Sequence, residues 1–265
     1  IKSSSDYLKH CDEADKNPQK FWREIAENFH WFNKGDEVID CDLEKAKISW
    51  FKNHSTNIVY NCLDRHLESG GDKTAIIFEP NDPQDAVQKI SYRQLHQRVC
   101  QLANLLIDNK IQKGDRVCIY MPMIPESLVA MLACARIGAI HCVVFAGFSA
   151  IALKERLKDC EAKILITADY LFRGEKTIDL LSIANQAVKE NSDLKSILVY
   201  QRLKSLPLKS GSKPLLIWQD EIAKYSFDNS SDEYLVKSLN KSSGKESSSG
   251  TLSNISSSNI FIINS

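Results

Sequence analysis

An excess of charge of one sign is the first thing this sequence lacks: 34 Lys and Arg residues face 34 Asp and Glu. No global field draws the chain to nucleic acid or to an anionic membrane surface, so any anionic ligand must be held locally. The strings G-x-G-x-x-G, G-x-x-x-x-G-K-[ST], G-x-S-x-G and H-E-x-x-H are also missing, which removes the signatures of dinucleotide, P-loop, hydrolase and zincin sites. No two cysteines stand at C-x-x-C spacing, so structural zinc is not expected. A long uninterrupted apolar run is absent too. The stretch from Leu128 to Phe148 comes nearest, but Arg136, Gly138 and His141 break it. An Arg at mid-bilayer costs about 2.5–3.5 kcal/mol on insertion scales, so a buried helix, turn and strand fit better than a membrane span. Nothing resembling a signal peptide stands at the start, and the Asn-x-Ser strings at Asn53, Asn229, Asn240 and Asn254 carry weight only in a secreted protein. The chain opens on Ile1 rather than Met, which leaves a targeting peptide open.

What is present suits a globular protein. Hydrophobic residues make up 43% of 265 residues and charged ones 26%, and the length allows one large domain or a domain plus a smaller piece. Eight cysteines lie mostly inside apolar segments. They suit reduced thiols that act as small hydrophobes in a cytosol or organelle matrix, with disulfides as the other reading.

Residues 1–56 are rich in charge and carry Trp22, Trp31 and Trp50 without a sustained apolar period. They read as an arm of short helices packed on something larger. Asn57 is placed to cap a helix carrying Val59, Cys62, Leu63, His66 and Leu67, ended by a left-handed residue at Gly70-Gly71. From there to residue 225 strand and helix patterns alternate. A strand over 74–78 pairs with one near Lys89-Ile90. Ser91 and Gln94 stand at capping-box spacing before Tyr92, Leu95, Val99, Leu102 and Leu106. Strands follow at 116–121, 139–145, 162–167 and 196–199, with helices at 125–137, 149–159 and 178–190 between them. Near-continuous Val, Ile and Leu runs alternating with helices predict an α/β fold: a partial doubly wound, mostly parallel sheet with helices on both faces, preceded by a helical amino-terminal arm. Residues 226–258 read as a Ser-rich flexible segment: Ser226 to Ser265 holds 14 serines in 40 residues. The apolar run 259–265 reads as a possible strand.

Open α/β sheets bind ligands at the carboxyl ends of their strands. Two of the corresponding loops suit an anion. After Phe145 the chain reads Ala146-Gly147-Phe148-Ser149 and enters a helix, offering close backbone approach and free N–H donors. After Thr167 it reads Ala168-Asp169-Tyr170-Leu171-Phe172-Arg173-Gly174-Glu175-Lys176, two cations around a glycine. A phosphate-bearing ligand fits both. The plainer alternative is a helix-capping turn and a solvated loop in which Arg173 pairs with Glu175. His66, His96 and His141 fall on helices or strands and read as core or surface histidines; Asp64-Arg65 and Glu126 read as local ion pairs or helix-start carboxylates.

Five ordered strings carry a resemblance: Asn61 to Leu67 (NCLDRHL), Tyr120 to Glu126 (YMPMIPE), Met131 to Ala139 (MLACARIGA), Phe145 to Ser149 (FAGFS) and Arg173 to Lys176 (RGEK). Together they are similar to AMP-forming acetyl-CoA synthetases of the adenylate-forming superfamily, over roughly Tyr7 to Asp220. The opening arm, with Pro18, Phe21, Trp22 and Trp50-Phe51, resembles that family's amino-terminal cap. The resemblance implies a ligase that activates acetate with ATP and Mg²⁺ to acetyl-adenylate and passes the acyl group to CoA. It implies small-molecule partners, no nucleic acid, no membrane, and a cytoplasmic or mitochondrial-matrix location. The segment matching Arg173, Gly174, Glu175 and Lys176 would bind the 3′-phosphorylated ADP part of CoA, and the turn matching Gly147 would lie beside the CoA path. Lys176 stands where some relatives carry Arg, so a bidentate contact there becomes a point charge.

The family's Ser/Thr/Gly-rich phosphate loop, acid pocket, adenine contacts and adenylation lysine have no match in this sequence, so no catalytic residue is assigned. The run 259–265 resembles the strand that leads into that loop. The expectation is an amino-terminal portion of an acetate–CoA ligase that forms no acetyl-adenylate by itself. The alternatives are a non-catalytic CoA-binding or interaction module, and a ligase for propionate or acetoacetate.

Overall fold

The computed structural model describes residues 2–189, 191–203, 207–208 and 211–225. The Ser-rich segment and the strand expected at 259–265 lie outside the described residues. The chain divides into two compact units at Cys62/Leu63, six residues past the boundary placed at 56/57.

In the first unit, α1 (Ser4–Lys16) starts at the Ser3 side chain, which accepts from Asp6 N at 3.2 Å. Pro18 opens α2 (Pro18–Ala26), with the Asn17 side chain accepting from Lys20 N at 3.0 Å. The arm is not purely helical. An antiparallel hairpin, β1 (Ile39–Asp42) and β2 (Lys47–Trp50), pairs Ile39 with Trp50 and Asp42 with Lys47. Edge-to-face rings gather the segment: Trp22 lies 5.7 Å from Trp50, and Trp31 lies 5.1 Å from His54. Such pairs add about 0.5–1.5 kcal/mol each beyond area burial, and they join residues too distant in sequence to leave a period. The unit closes with α3 (Ile58–Cys62), where the Asn57 side chain accepts from Val59 N at 2.8 Å.

The helix expected to run on to Leu67 is broken. Leu63 takes φ −131° and ψ −66°, and a 3₁₀ turn over Asp64–His66 precedes the short α4 (Leu67–Gly70). Gly71 is right-handed, at φ −54°, rather than left-handed. Its requirement is space, because a Cβ there would meet Leu67 O and Arg93 Nη2 at 2.6 Å each.

The antiparallel hairpin β3 (Thr74–Phe78) and β4 (Gln88–Ser91) forms as expected. Ser91 then starts α5 (Tyr92–Asp108) with both bonds of a capping box, Gln94 N to Ser91 Oγ at 3.2 Å and Ser91 N to Gln94 Oε1 at 2.9 Å. β5 (Arg116–Tyr120), α6 (Pro125–Arg136), β6 (Ile140–Val143), α7 (Ala150–Asp159) and β7 (Ile164–Ala168) follow. The segment after β7, read as a loop under both alternatives, is instead a hairpin, β8 (Tyr170–Arg173) and β9 (Lys176–Asp179). This delays α8 to Leu180–Ala187, capped by Asp179. β10 (Ser196–Tyr200), β11 (Leu215–Ile217) and α9 (Trp218–Ile222) complete the described fold.

The main sheet is all parallel, in the order β11-β10-β7-β5-β6. Cys118, Tyr120, Leu165, Ile197 and Val199 share one core with Leu153 and Leu157 of α7 and Leu180 and Ala184 of α8. The alternating residues Val117, Ile119, Ile164, Ile166 and Leu198 point to the other face and are equally buried. Helices therefore cover both faces, as the unbroken apolar strands imply.

Candidate functional site

Because every strand of the main sheet runs the same way, the loops after β5, β6, β7 and β10 share its carboxyl edge. The segment after β7 is firmly rooted there. Thr167, fully buried, donates from Oγ1 to Tyr120 O at 2.8 Å. Asp169, 1% exposed, accepts from Tyr170 N and Arg202 N at 2.8 Å each and from Leu203 N at 2.9 Å. Backbone dipoles thus solvate a carboxylate that water cannot reach. The Arg202 side chain returns the contact, donating to Tyr170 O at 3.2 Å and stacking 4.5 Å from the Phe172 ring centroid.

This base projects the β8–β9 tip. Gly174 takes φ +58°, a left-handed value that glycine adopts without steric cost. Arg173 and Lys176 are register partners across the two-residue turn Gly174-Glu175, and all four residues are exposed. Like charges directly opposite on a ladder destabilise it. Among the described residues no ion pair joins Arg173 to Glu175, so the local pairing weighed above does not form. The tip presents two adjacent cations whose repulsion an anion would relieve.

Gly147 lies in the turn after β6, on the same edge, two strand positions from β7 across β5. The turn is closed by Phe148 N to Phe145 O at 3.0 Å and held to the sheet by Tyr120 Oη, which donates to Phe148 O at 2.7 Å. A Cβ on Gly147 would strike the Phe145 ring. Ser149 caps α7 as expected, accepting from Ala152 N at 3.3 Å. The structure thus groups Arg173, Gly174, Glu175 and Lys176 at one tip and sets Gly147 on a neighbouring loop of one edge. A Gly-x pair between two short apolar stretches was the turn signal in the sequence.

Two constellations escaped sequence reasoning. Asp64 reaches across the fold: its Oδ2 meets Arg136 Nη2 at 2.7 Å and its Oδ1 meets His96 Nε2 at 3.3 Å, all largely buried. Burial opposes the charge on His96, but the Asp64 carboxylate, with Cys100, pushes its pKa up to about 9. The second lies between α5, α6 and α9. Glu126, in the first turn of α6, pairs with Arg98 at 3.7 Å, and Tyr200, half-buried beside it, has its pKa pushed up to about 12 by burial and by the Glu126 carboxylate. These groups, with Trp218 and Tyr225, line a cavity of about 460 Å³. No group of three or more His, Cys, Asp or Glu among the described residues could hold a metal ion. No helix among them is long and apolar enough to cross a membrane.

A parallel α/β sheet with its loops gathered at the carboxyl edge is an architecture that places ligands there, and comparison with known proteins supplies the family. The chain belongs to the AMP-binding enzyme family, whose model matches residues 63–235. Residues 7–62 match the acetyl-coenzyme A synthetase amino terminus, so the two models meet where the two compact units divide. The acetyl-coenzyme A synthetase of Alkalilimnicola ehrlichii is 50% identical over 187 residues, 70% of this chain and 29% of that protein. That of Desulfatibacillum aliphaticivorans is 46% identical over 222 residues, 83% of this chain and 34% of that protein. The acetoacetyl-CoA synthetase from Streptomyces lividans shares the fold, with a TM-score of 0.69 at 22% identity over 78% of this chain and 31% of that one. The chain thus spans about a third of the length of the relatives it matches.

Proposed function

We propose that this chain supplies the CoA-nucleotide subsite of an acetate–CoA ligase, which joins acetate to CoA through acetyl-adenylate at the expense of ATP. The observation that carries the reading is the β8–β9 tip, where Arg173 and Lys176 are register partners across the Gly174-Glu175 turn. Arg173 would donate to the 3′-phosphate as a charge-assisted ligand and Lys176 would add a point charge. Gly174 makes the turn that sets both on one side, and Glu175 fills its second position. Gly147 leaves room for the CoA chain to pass the Phe145 ring. Relatives at 45–50% identity are named for acetyl rather than acetoacetyl transfer, which supports acetate as the acid. ATP would be the second nucleotide substrate, and Mg²⁺ would neutralise its phosphates. The described residues form no carboxylate site suited to Mg²⁺, so no step is assigned through it. Eight free cysteines suit a reducing compartment, cytoplasm or mitochondrial matrix.

Calorimetry with CoA and 3′-dephospho-CoA tests the assignment. Losing one charge-assisted hydrogen bond costs about 1.5–3 kcal/mol, so Arg173→Ala is expected to weaken CoA binding about ten- to a hundredfold. It should leave 3′-dephospho-CoA nearly unchanged. Equal binding of the two ligands by the wild type would contradict the reading.

A further inference from the structure

A third cation stands near the β8–β9 tip: Arg202, on the loop after β10. Strand alternation separates it from the other two. Arg173 and Lys176 are register partners and share a face of the hairpin with Leu171 and Ile178, which seat on the core of the main sheet. Phe172 and Thr177, the neighbouring register pair, point to the opposite face. There the Arg202 guanidinium lies over Phe172, 4.5 Å from the ring centroid, and its Nη1 donates to Tyr170 O at 3.2 Å. The hairpin is thus gripped between the core and one arginine.

Asp169 fixes where that arginine starts. Its own backbone is tied on both sides, with Asp169 N donating to Tyr200 O and Leu181 N donating to Asp169 O, each at 3.1 Å. Its buried carboxylate accepts from Tyr170 N at the root of the hairpin and from Arg202 N and Leu203 N on the neighbouring loop. One side chain therefore sets the start of β8 and the segment carrying Arg202 relative to each other. An ionised carboxylate has acceptors for all three donors, whereas an amide in its place keeps one oxygen and turns an N–H towards a donor.

We infer that Asp169 and Arg202 are positioning residues for the anion-binding tip and that, without touching the ligand, they set how strongly the site prefers a 3′-phosphate. The inference rests on the CoA-nucleotide reading given above. A hairpin of two four-residue strands is marginally stable by itself. Without the grip, Arg173 and Lys176 must be ordered at the moment of binding, against their mutual repulsion. With it, they stand side by side before the ligand arrives. A field effect and a positional effect have opposite signs at Asp169. Removing a carboxylate from beneath two cations strengthens their pull on a phosphate, whereas losing the grip weakens binding. At Arg202 the two effects differ in rescue: Arg202→Lys keeps the charge but not the planar group that stacks on Phe172.

Calorimetry with CoA and 3′-dephospho-CoA on the full 265-residue chain, Asp169→Asn and Arg202→Lys tests the inference. Each variant is expected to bind CoA about three- to tenfold more weakly, the cost of ordering one long side chain, and 3′-dephospho-CoA within about twofold of wild type. Amide hydrogen exchange over residues 171–178 should quicken in both variants while residues 196–200 of β10 stay protected. Arg202→Lys alters one partly exposed side chain and decides the matter if Asp169→Asn does not fold. Equal binding of the two ligands by the wild type would remove the CoA reading and this inference with it. A wild type that prefers CoA, joined to an undiminished preference in Arg202→Lys or to tighter CoA binding in Asp169→Asn, would overturn this inference alone.

Discussion

One carboxylate, Asp64, holds two buried cations, Arg136 at 2.7 Å and His96 at 3.3 Å. Asp64→Asn keeps the shape but leaves both charges without their counter-ion. Breaking a buried pair in this way costs about 3–5 kcal/mol, which urea unfolding at pH 6 should reveal. The same substitution should lower the NMR titration midpoint of His96 from about 9, since Cys100 alone then opposes burial and Arg136. The pH dependence has a definite sign. The folded pKa of His96 lies above its unfolded value near 6.5, so its contribution is complete below that value and lost as pH rises through about 9. Its size is on the order of 3 kcal/mol. Asp64 is shifted down despite its burial, so its contribution is present above about pH 4 and is lost on acidification. Unfolding free energy is expected to fall between pH 6.5 and 9 in the wild type and to stay nearly level in His96→Gln. Parallel profiles would contradict the assignment.

Elements show why two glycines at the sheet edge serve different ends. Gly174 has φ +58° and open space around its Cα, so Gly174→Ala meets only backbone strain, about 1 kcal/mol. Gly147 has no such φ; an added Cβ meets the Phe145 ring, which is 61% exposed and free to swing aside. Gly147→Ala is therefore expected to cost under about 1 kcal/mol in thermal unfolding, within the range of a side chain forced off its rotamer. If CoA passes this turn, the same variant should weaken CoA binding more than it weakens the fold, and a second change, Phe145→Ala, should restore part of the loss. Helix α5 was legible because all of its signals are local: Ser91 and Gln94 at cap spacing, then apolar steps of three and four. The β8–β9 hairpin was not, because its strands are four residues long and are held by Asp169 and by Arg202, whose contacts lie about thirty residues away in sequence.

In the molecule as a whole, the parallel sheet ends at β6, where Ile140, Val143 and the following Phe145 are exposed. An exposed apolar edge strand is a template for pairing with another chain. The chain is expected to self-associate with rising concentration in sedimentation velocity, and Val143→Lys should reduce this without lowering the unfolding temperature. A concentration-independent monomer would count against the edge as the cause. The alternation of apolar strands and helices, the caps at Ser91 and Ser149, and the cations flanking Gly174 were determined by the sequence alone, since each depends on neighbours within a few residues. Tertiary structure decided the rest: the partners of Asp64, the hairpin that sets Arg173 opposite Lys176, and the edge shared with Gly147. Those features depend on strand order and register, which fix which distant residues meet. A sequence period reports which side of an element is buried, but not what it is buried against.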